Sequence, residues 1–312
     1  MTTIVNNPSG TGHGPRQITG PLFAAPTPFD ANGDVRLAAF CDFLAFVSTC
    51  GVDGLVINGT TGEFPSLDFA ERCMLYETAR ANFAGALVNN ISSTNAREAN
   101  KLARNSIGAD ALLILPPFYY AGAGDAGLIE FFRRALDGVK TSVFLYNFPR
   151  HVKLALTPEL VERIMAICPM IIGVKDSSGD LDAARAFKNL AGIRQVFVGN
   201  DRQALAALEA GLDGSITGAG NPFPQFLVGI RRAWAAGDKM LAQRFQQDFD
   251  VWNAFRKTLN VDEPALVKSA LAQRLPGYPL HVRPPLRALT AHELTALGEM
   301  LKRLNEASRL AV

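Results

Sequence analysis

Histidine is scarce in this chain of 312 residues. His13, His151, His281 and His292 lie far apart, with no HxxxH pair and no paired His–carboxylate spacing, so no metal centre is expected. The four cysteines (Cys41, Cys50, Cys73, Cys168) form no CxxC pair and mostly sit in apolar helical contexts, as reduced thiols of a cytoplasmic protein do. No apolar run approaches the ~18–20 residues that would span a bilayer, which argues against a membrane partner. A large charge of either sign is missing too: the formal net charge is +2 with both signs interspersed, so nothing suggests a nucleic-acid or anionic-membrane surface. Nucleotide fingerprints are absent, with no GKT or GKS loop and no GxGxxG after the first strand-like run. Internal repeats, low-complexity tracts and coiled-coil heptads are also absent.

What the chain does contain is a regular alternation. Short apolar or β-branched runs recur: "PLFAAPT", "DGLVING", "GALVNNIS", "DALLILPP", "TSVFLYN", "MIIGVKD", "RQVFVGN" and "DGSITGAG". Segments of helical period separate them, such as "LDFAERCMLYETARANFA". Continuous apolar runs mark strands buried on both faces, and their alternation with helices predicts parallel βαβ units. Eight strands predict an α/β fold of the (β/α)8 TIM-barrel kind, with a doubly wound open sheet as the alternative. The polar, Gly- and Pro-containing segment 1–17 reads as a flexible leader, 18–237 as the barrel, and 238–312 as a small C-terminal helical bundle.

Nearly every run turns polar or aromatic at its C-terminal end: Asn58, Thr60 and Thr61; Asn90; Tyr119 and Tyr120; Tyr146 and Asn147; Lys175; Asn200 and Asp201; Thr217. In a barrel those ends share the face that carries active sites. Lys175 closes the apolar run Met170–Val174, where an ammonium costs several kcal/mol unless it is paired or deprotonated. It is either a nucleophile for a carbonyl, forming a Schiff base, or an ion-pair partner of Asp176 or Asp201. In "NGTTGEFPS", Gly59 and Gly62 permit a tight turn whose amides, beside the hydroxyls of Thr60 and Thr61, suit a carboxylate or phosphate. Tyr146, one strand before Lys175, and Tyr119 in "PPFYY" are candidate proton carriers. His151 reads first as a solvated loop histidine.

Three motifs in this order, "GTTGE", "YNFP" and "GVKD", resemble the class I Schiff-base lyases related to dihydrodipicolinate synthase and N-acetylneuraminate lyase, over about 20–310. The resemblance implies a (β/α)8 barrel with a C-terminal helical bundle, assembled as a homotetramer (a dimer of dimers). No cofactor is implied beyond the covalent lysine. Lys175 would condense with the keto group of pyruvate or another 2-oxo acid. Thr60, Thr61 and the Gly62 turn would hold its carboxylate, and Tyr146 would act as acid and base. Thr60 would link Tyr146 to Tyr119 of a neighbouring subunit. Ser177 and Ile216 would line the pocket.

Two positions depart from the family's branches. The synthase arginine expected two residues after the proline of the "YNFP" loop is His151 here, with arginine one step earlier at Arg150. The acidic residue of the sialic-acid branch is Arg202. Arg150, His151 and Arg202 would make the distal pocket basic. The expected function is therefore an aldolase that cleaves or makes a 2-keto-3-deoxy sugar acid or a similar acidic 2-oxo acid, with small 2-oxo acids and aldehydes as partners. A dihydrodipicolinate synthase, a 4-deoxy-5-oxo sugar acid dehydratase and a non-catalytic 2-oxo-acid-binding barrel are the alternatives.

Overall fold

Each of the eight apolar runs forms a strand in the computed structural model, which describes residues 18–309, with side chains through Leu304. The expected leader, His13 included, lies outside the described residues. The strands are β1 (Leu22–Ala24), β2 (Gly54–Ile57), β3 (Ala86–Asn90), β4 (Ala111–Ile114), β5 (Val143–Asn147), β6 (Ile171–Asp176), β7 (Gln195–Val198) and β8 (Ile216–Thr217). All pairings are parallel, in the spatial order β7-β6-β5-β4-β3-β2-β1-β8. A parallel bridge between Val198 and Ser215 joins the two ends of that order, so the sheet closes into a barrel and no strand keeps a free edge.

The connecting helices are α1 (Leu37–Thr49), α2 (Phe69–Asn82), α3 (Ala96–Asn105), α4 (Asp125–Ala135), α5 (Pro149–Val152), α6 (Pro158–Ile167), α7 (Leu181–Lys188), α8 (Ala204–Glu209) and α9 (Pro224–Ala235). Their starts follow local chemistry. Asp68 and Glu71 form a reciprocal capping box on α2, and Thr157 caps α6 with Pro158 in its first turn. Strand parity then divides the core. Leu22, Ala24, Val56, Val88, Leu113, Phe144, Tyr146, Phe197 and Ile216 fill the barrel interior, while alternate residues such as Phe23, Leu55 and Leu87 pack outward against helices.

Three helices follow: α10 (Lys239–Arg256), α11 (Glu263–Ala272) and α12 (Ala291–Arg309). Phe249, Trp252, Leu266 and Leu271 join the same apolar cluster as Phe23 and Phe29, and the Trp252 indole donates to the Ala219 carbonyl at 2.9 Å. The strongest tie is ionic. Lys268 Nζ on α11 bonds Glu63 Oε1 of the "GTTGE" loop, with both side chains at 1% exposure or less. Lys268 also donates to the His281 carbonyl (2.8 Å), and Glu63 Oε2 accepts the Arg283 amide (3.0 Å). The Arg283 guanidinium in turn binds Glu71 and the Gly33 and Ser66 carbonyls. These bonds hold Glu63 in the left-handed region at φ 58°, where a residue with a side chain is uncommon.

Removing one partner of a buried ion pair strands the other charge without compensation. Lys268→Met is expected to lower unfolding free energy by about 3–5 kcal/mol. In the Glu63→Gln/Lys268→Met double variant the loss should be smaller than the sum of the two single losses. Denaturant unfolding of the four proteins checks both statements.

Candidate active site

Lys175 owes its direction to an irregularity in β6. Val143 pairs with Ile171, but the next residue, Phe144, pairs with Gly173, so Ile172 is one extra residue in the strand. A bulge of this kind reverses which face later residues occupy. Beyond it, Gly173 stands opposite Phe144 and Lys175 opposite Tyr146 and Phe197, all three aromatics belonging to the barrel interior. Glycine is required at 173 because a Cβ there would lie 2.4 Å from both the Phe144 ring and the Gln195 carbonyl. The lysine is 6% exposed, and its Nζ lies 4.1 Å from the centroid of the buried Tyr146 ring.

Neither carboxylate considered as its partner takes that place. Asp176 accepts from Asn147 Nδ2 and Ser178 Oγ, both at 2.6 Å; burial raises its pKa and these two bonds oppose the rise. Asp201 has its Oδ2 3.9 Å from Arg256 Nη1. Among the described residues, no carboxylate oxygen lies within 4.0 Å of Lys175 Nζ. The space around the lysine is narrow: a Cβ at Gly199 would lie 1.8 Å from Ser177 Oγ and 3.3 Å from Lys175 Cε. Ser177 is thus brought beside the lysine, and Ile216 lies in the barrel interior with Tyr146.

The "GTTGE" residues form the expected tight turn. The Gly62 amide donates to the Gly59 carbonyl and the Glu63 amide to the Thr60 carbonyl, both at 3.0 Å. The amides of Thr60 and Thr61 have no acceptor among the described residues, as an anion-binding turn requires. Gly62 fits closely: a Cβ would sit 2.8 Å from the Ala25 carbonyl, and Thr27 Oγ1 donates to the Gly62 carbonyl at 2.7 Å. Thr61 is buried and Thr60 half-buried.

Other expected residues lie farther out. Tyr119 is 88% exposed at φ 84°, edge-on to Tyr120, so a single chain does not bring it to Lys175. Arg150, in the first turn of α5, and Arg202, in a 3-10 turn over 201–203, are exposed and form no ion pair among the described residues. His151 ends a column of rings. Its centroid is 4.1 Å from Phe148, which stacks on Tyr146 at 5.4 Å. Burial and the neighbouring Arg150 lower the His151 pKa, while Glu263 acts in the opposite direction.

A profile of the Dihydrodipicolinate synthetase family matches residues 17–304. The chain belongs to that family. The 4-hydroxy-tetrahydrodipicolinate synthase of Nitrosospira multiformis is 35% identical over 234 residues, which is 72% of this chain and 76% of the relative. A probable 2-dehydro-3-deoxy-D-pentonate aldolase of Escherichia coli is 32% identical over 231 residues, again covering 72% and 76%. The crystal structure of YagE, a prophage protein of the dihydrodipicolinic acid synthase family from E. coli K12 in complex with pyruvate, matches with a TM-score of 0.85. Its sequence identity is 28%, over 93% of this chain and 99% of that one. Members of the family are class I lyases and aldolases, and this chain is an enzyme of that kind.

This dihydrodipicolinate synthetase family member also carries polar residues whose part in the site is not legible in its motifs. Thr61 Oγ1 donates to Glu263 Oε1 (3.1 Å), at the start of α11 some 200 positions away. Arg256 Nη2 binds Glu263 Oε2, and Arg256 Nη1 faces Asp201. The helix start "DEPAL" is readable in sequence; that it abuts the turn after β2 is decided by tertiary packing alone. Asp201 is 6% exposed, and burial pushes its pKa up to about 6 against the pull of Arg256 and a Thr217 hydrogen bond.

A carboxyl that gives up its proton later in the folded state than in the unfolded chain binds the excess proton between the two pKa values. Stability from Asp201 should therefore fall as pH rises from about 4 to about 6 and stay level above, a loss on the order of 3 kcal/mol. Asp201→Asn should remove that component. Thermal melting of both proteins across pH 4–8 checks it: the wild-type midpoint should fall relative to the variant up to about pH 6 and then run parallel.

Proposed function

We propose that the enzyme is a cofactor-free aldolase that works through a Schiff base of Lys175 with pyruvate, or with the 2-oxo end of a 2-keto-3-deoxy sugar acid. The observation that carries the proposal is the lysine itself: nearly buried, without a carboxylate partner among the described residues, and set against the Tyr146 ring. A structural lysine at that depth would be paired, as Lys268 is.

The unprotonated amine adds to the keto carbon, and loss of water gives an iminium. The iminium draws electrons from C3. In synthesis a C3 proton leaves, the resulting enamine attacks an aldehyde carbon, and the new C3–C4 bond is made while the aldehyde oxygen takes up a proton. Water then frees the lysine. Cleavage runs the same steps backwards. Tyr146 carries the proton to and from the departing oxygen. The free amides of Thr60 and Thr61 hold the substrate carboxylate, with Ser177 and Ile216 along the pocket. Tyr119, turned outward in its own chain, serves the site of a neighbouring copy in a homotetramer and joins the relay through Thr60. The enzyme works in the cytoplasm on small 2-oxo acids and aldehydes.

Between sugar-acid aldolase and dihydrodipicolinate synthase, the aldolase is favoured by the place of the arginine. Arg150 is exposed and one residue short of the position at which the synthase branch grips its second carboxylate. Dehydration of a 4-deoxy-5-oxo sugar acid would use the same lysine, but it breaks a C–O bond and releases water where the aldolase breaks C3–C4.

Borohydride reduction in the presence of pyruvate should leave a covalent adduct on Lys175, located by peptide mapping. Lys175→Ala should fold but show neither adduct nor turnover. Tyr146→Phe should lose about 10²–10⁴-fold in kcat. An adduct on an exposed lysine instead, or wild-type rates in Lys175→Ala, would overturn the proposal.

A further inference from the structure

Beside the turn after β2, two carboxylates, Glu263 at the start of α11 and Asp201 after β7, come close to Arg256 of α10. Glu263 Oε1 already takes the Thr61 hydroxyl. Asp201 Oδ1 is buried and has no hydrogen-bond partner among the described residues. Arg256 beside them donates through Nη2 to Glu263 and through Nη1 to Asn253 Oδ1 at 3.0 Å. Gly218, directly after β8, keeps the space open, because a Cβ there would lie 2.1 Å from both Glu263 Oε1 and Thr61 Oγ1. The Glu263 side chain is 37% exposed, so its carboxylate is open to solvent. His151, at the end of the ring column over Tyr146, lies within electrostatic reach of both Glu263 and Asp262.

We infer that Glu263 is a specificity-determining residue: it accepts hydrogen bonds from hydroxyl groups of the aldehyde-derived part of the substrate and repels a second anionic group there. Arg256 is the positioning residue that holds Glu263 and offsets part of its charge. The enzyme therefore takes a neutral, hydroxylated aldehyde in preference to a phosphorylated or carboxylated one. The basic distal pocket expected from Arg150, His151 and Arg202 is outweighed by a carboxylate anchored to the cradle itself. The physical basis is the cost of placing a like charge near a half-buried carboxylate, against the gain from donors that satisfy open acceptors.

The inference rests on the Lys175 aldolase reading, and the test separates the two. Wild type is first trapped with pyruvate and borohydride; no adduct on Lys175 overturns the aldolase reading and this inference with it. With the adduct in hand, kcat/KM for condensation is measured with D-glyceraldehyde and with D-glyceraldehyde 3-phosphate, in wild type, Glu263→Gln and Arg256→Gln. Wild type should prefer the neutral aldehyde. In Glu263→Gln the phosphate-to-neutral ratio should rise tenfold or more, chiefly through KM. In Arg256→Gln the same ratio should fall. Opposite shifts from two neighbouring substitutions are not what general loosening of the site produces. A wild-type preference for the phosphate, trapping without condensation with either aldehyde, or ratios unchanged within twofold in both variants would overturn the inference.

Discussion

The buried Glu63–Lys268 pair is the constraint on which the site's geometry depends. Two charges out of water stay together only if each is compensated, and here each has one bond beyond the pair: the His281 carbonyl for the lysine and the Arg283 amide for the glutamate. The pair fastens α11 to the turn that carries the unused amides of Thr60 and Thr61. Five residues earlier on the same helix, Glu263 meets Thr61. One helix thus grips one turn at two points, Glu63 and Thr61, which are themselves two residues apart. The C-terminal helices complete the barrel mouth as well as adding core.

Two buried lysines show how the same side chain is used differently. Lys268 is sealed at 0% exposure and neutralised by a carboxylate, and its ammonium also lies over the Phe29 ring. Lys175 is nearly as deep, but it faces an aromatic ring and a gap bounded by Ser177 and Gly199. Depth alone does not distinguish these two lysines. The surrounding acceptors do.

Much of this was legible in the chain. Apolar runs of strand length alternating with helical period lead to eight parallel strands, and the polar strand ends mark one face as chemical. The motifs around Thr60, Tyr146 and Lys175 point to the family. Less legible was anything that depends on contacts between distant segments. "EPALVKSALAQRL" reads as a helix, with no sign that Glu263 and Lys268 both turn toward residues near position 62. Tyr119 sits at the end of an apolar run like the other strand-end residues, yet a positive φ swings it outward. The basic residues Arg150, His151 and Arg202 stand out as letters, but the charge fixed to the cradle is a carboxylate that belongs to no motif.

The extra residue in β6 was hidden for a different reason. Every position from Met170 to Val174 is apolar or glycine, so the run looks the same whichever face each residue takes. The bulge makes strand length, rather than residue identity, the variable that aims Lys175. Exchanging one apolar residue for another in this run changes packing by degrees, whereas losing one residue would send Lys175 out among the helices and bring Asp176 into the barrel. The direction in which Lys175 points is therefore a counting property: it tolerates drift in composition and is abolished by a single change in number.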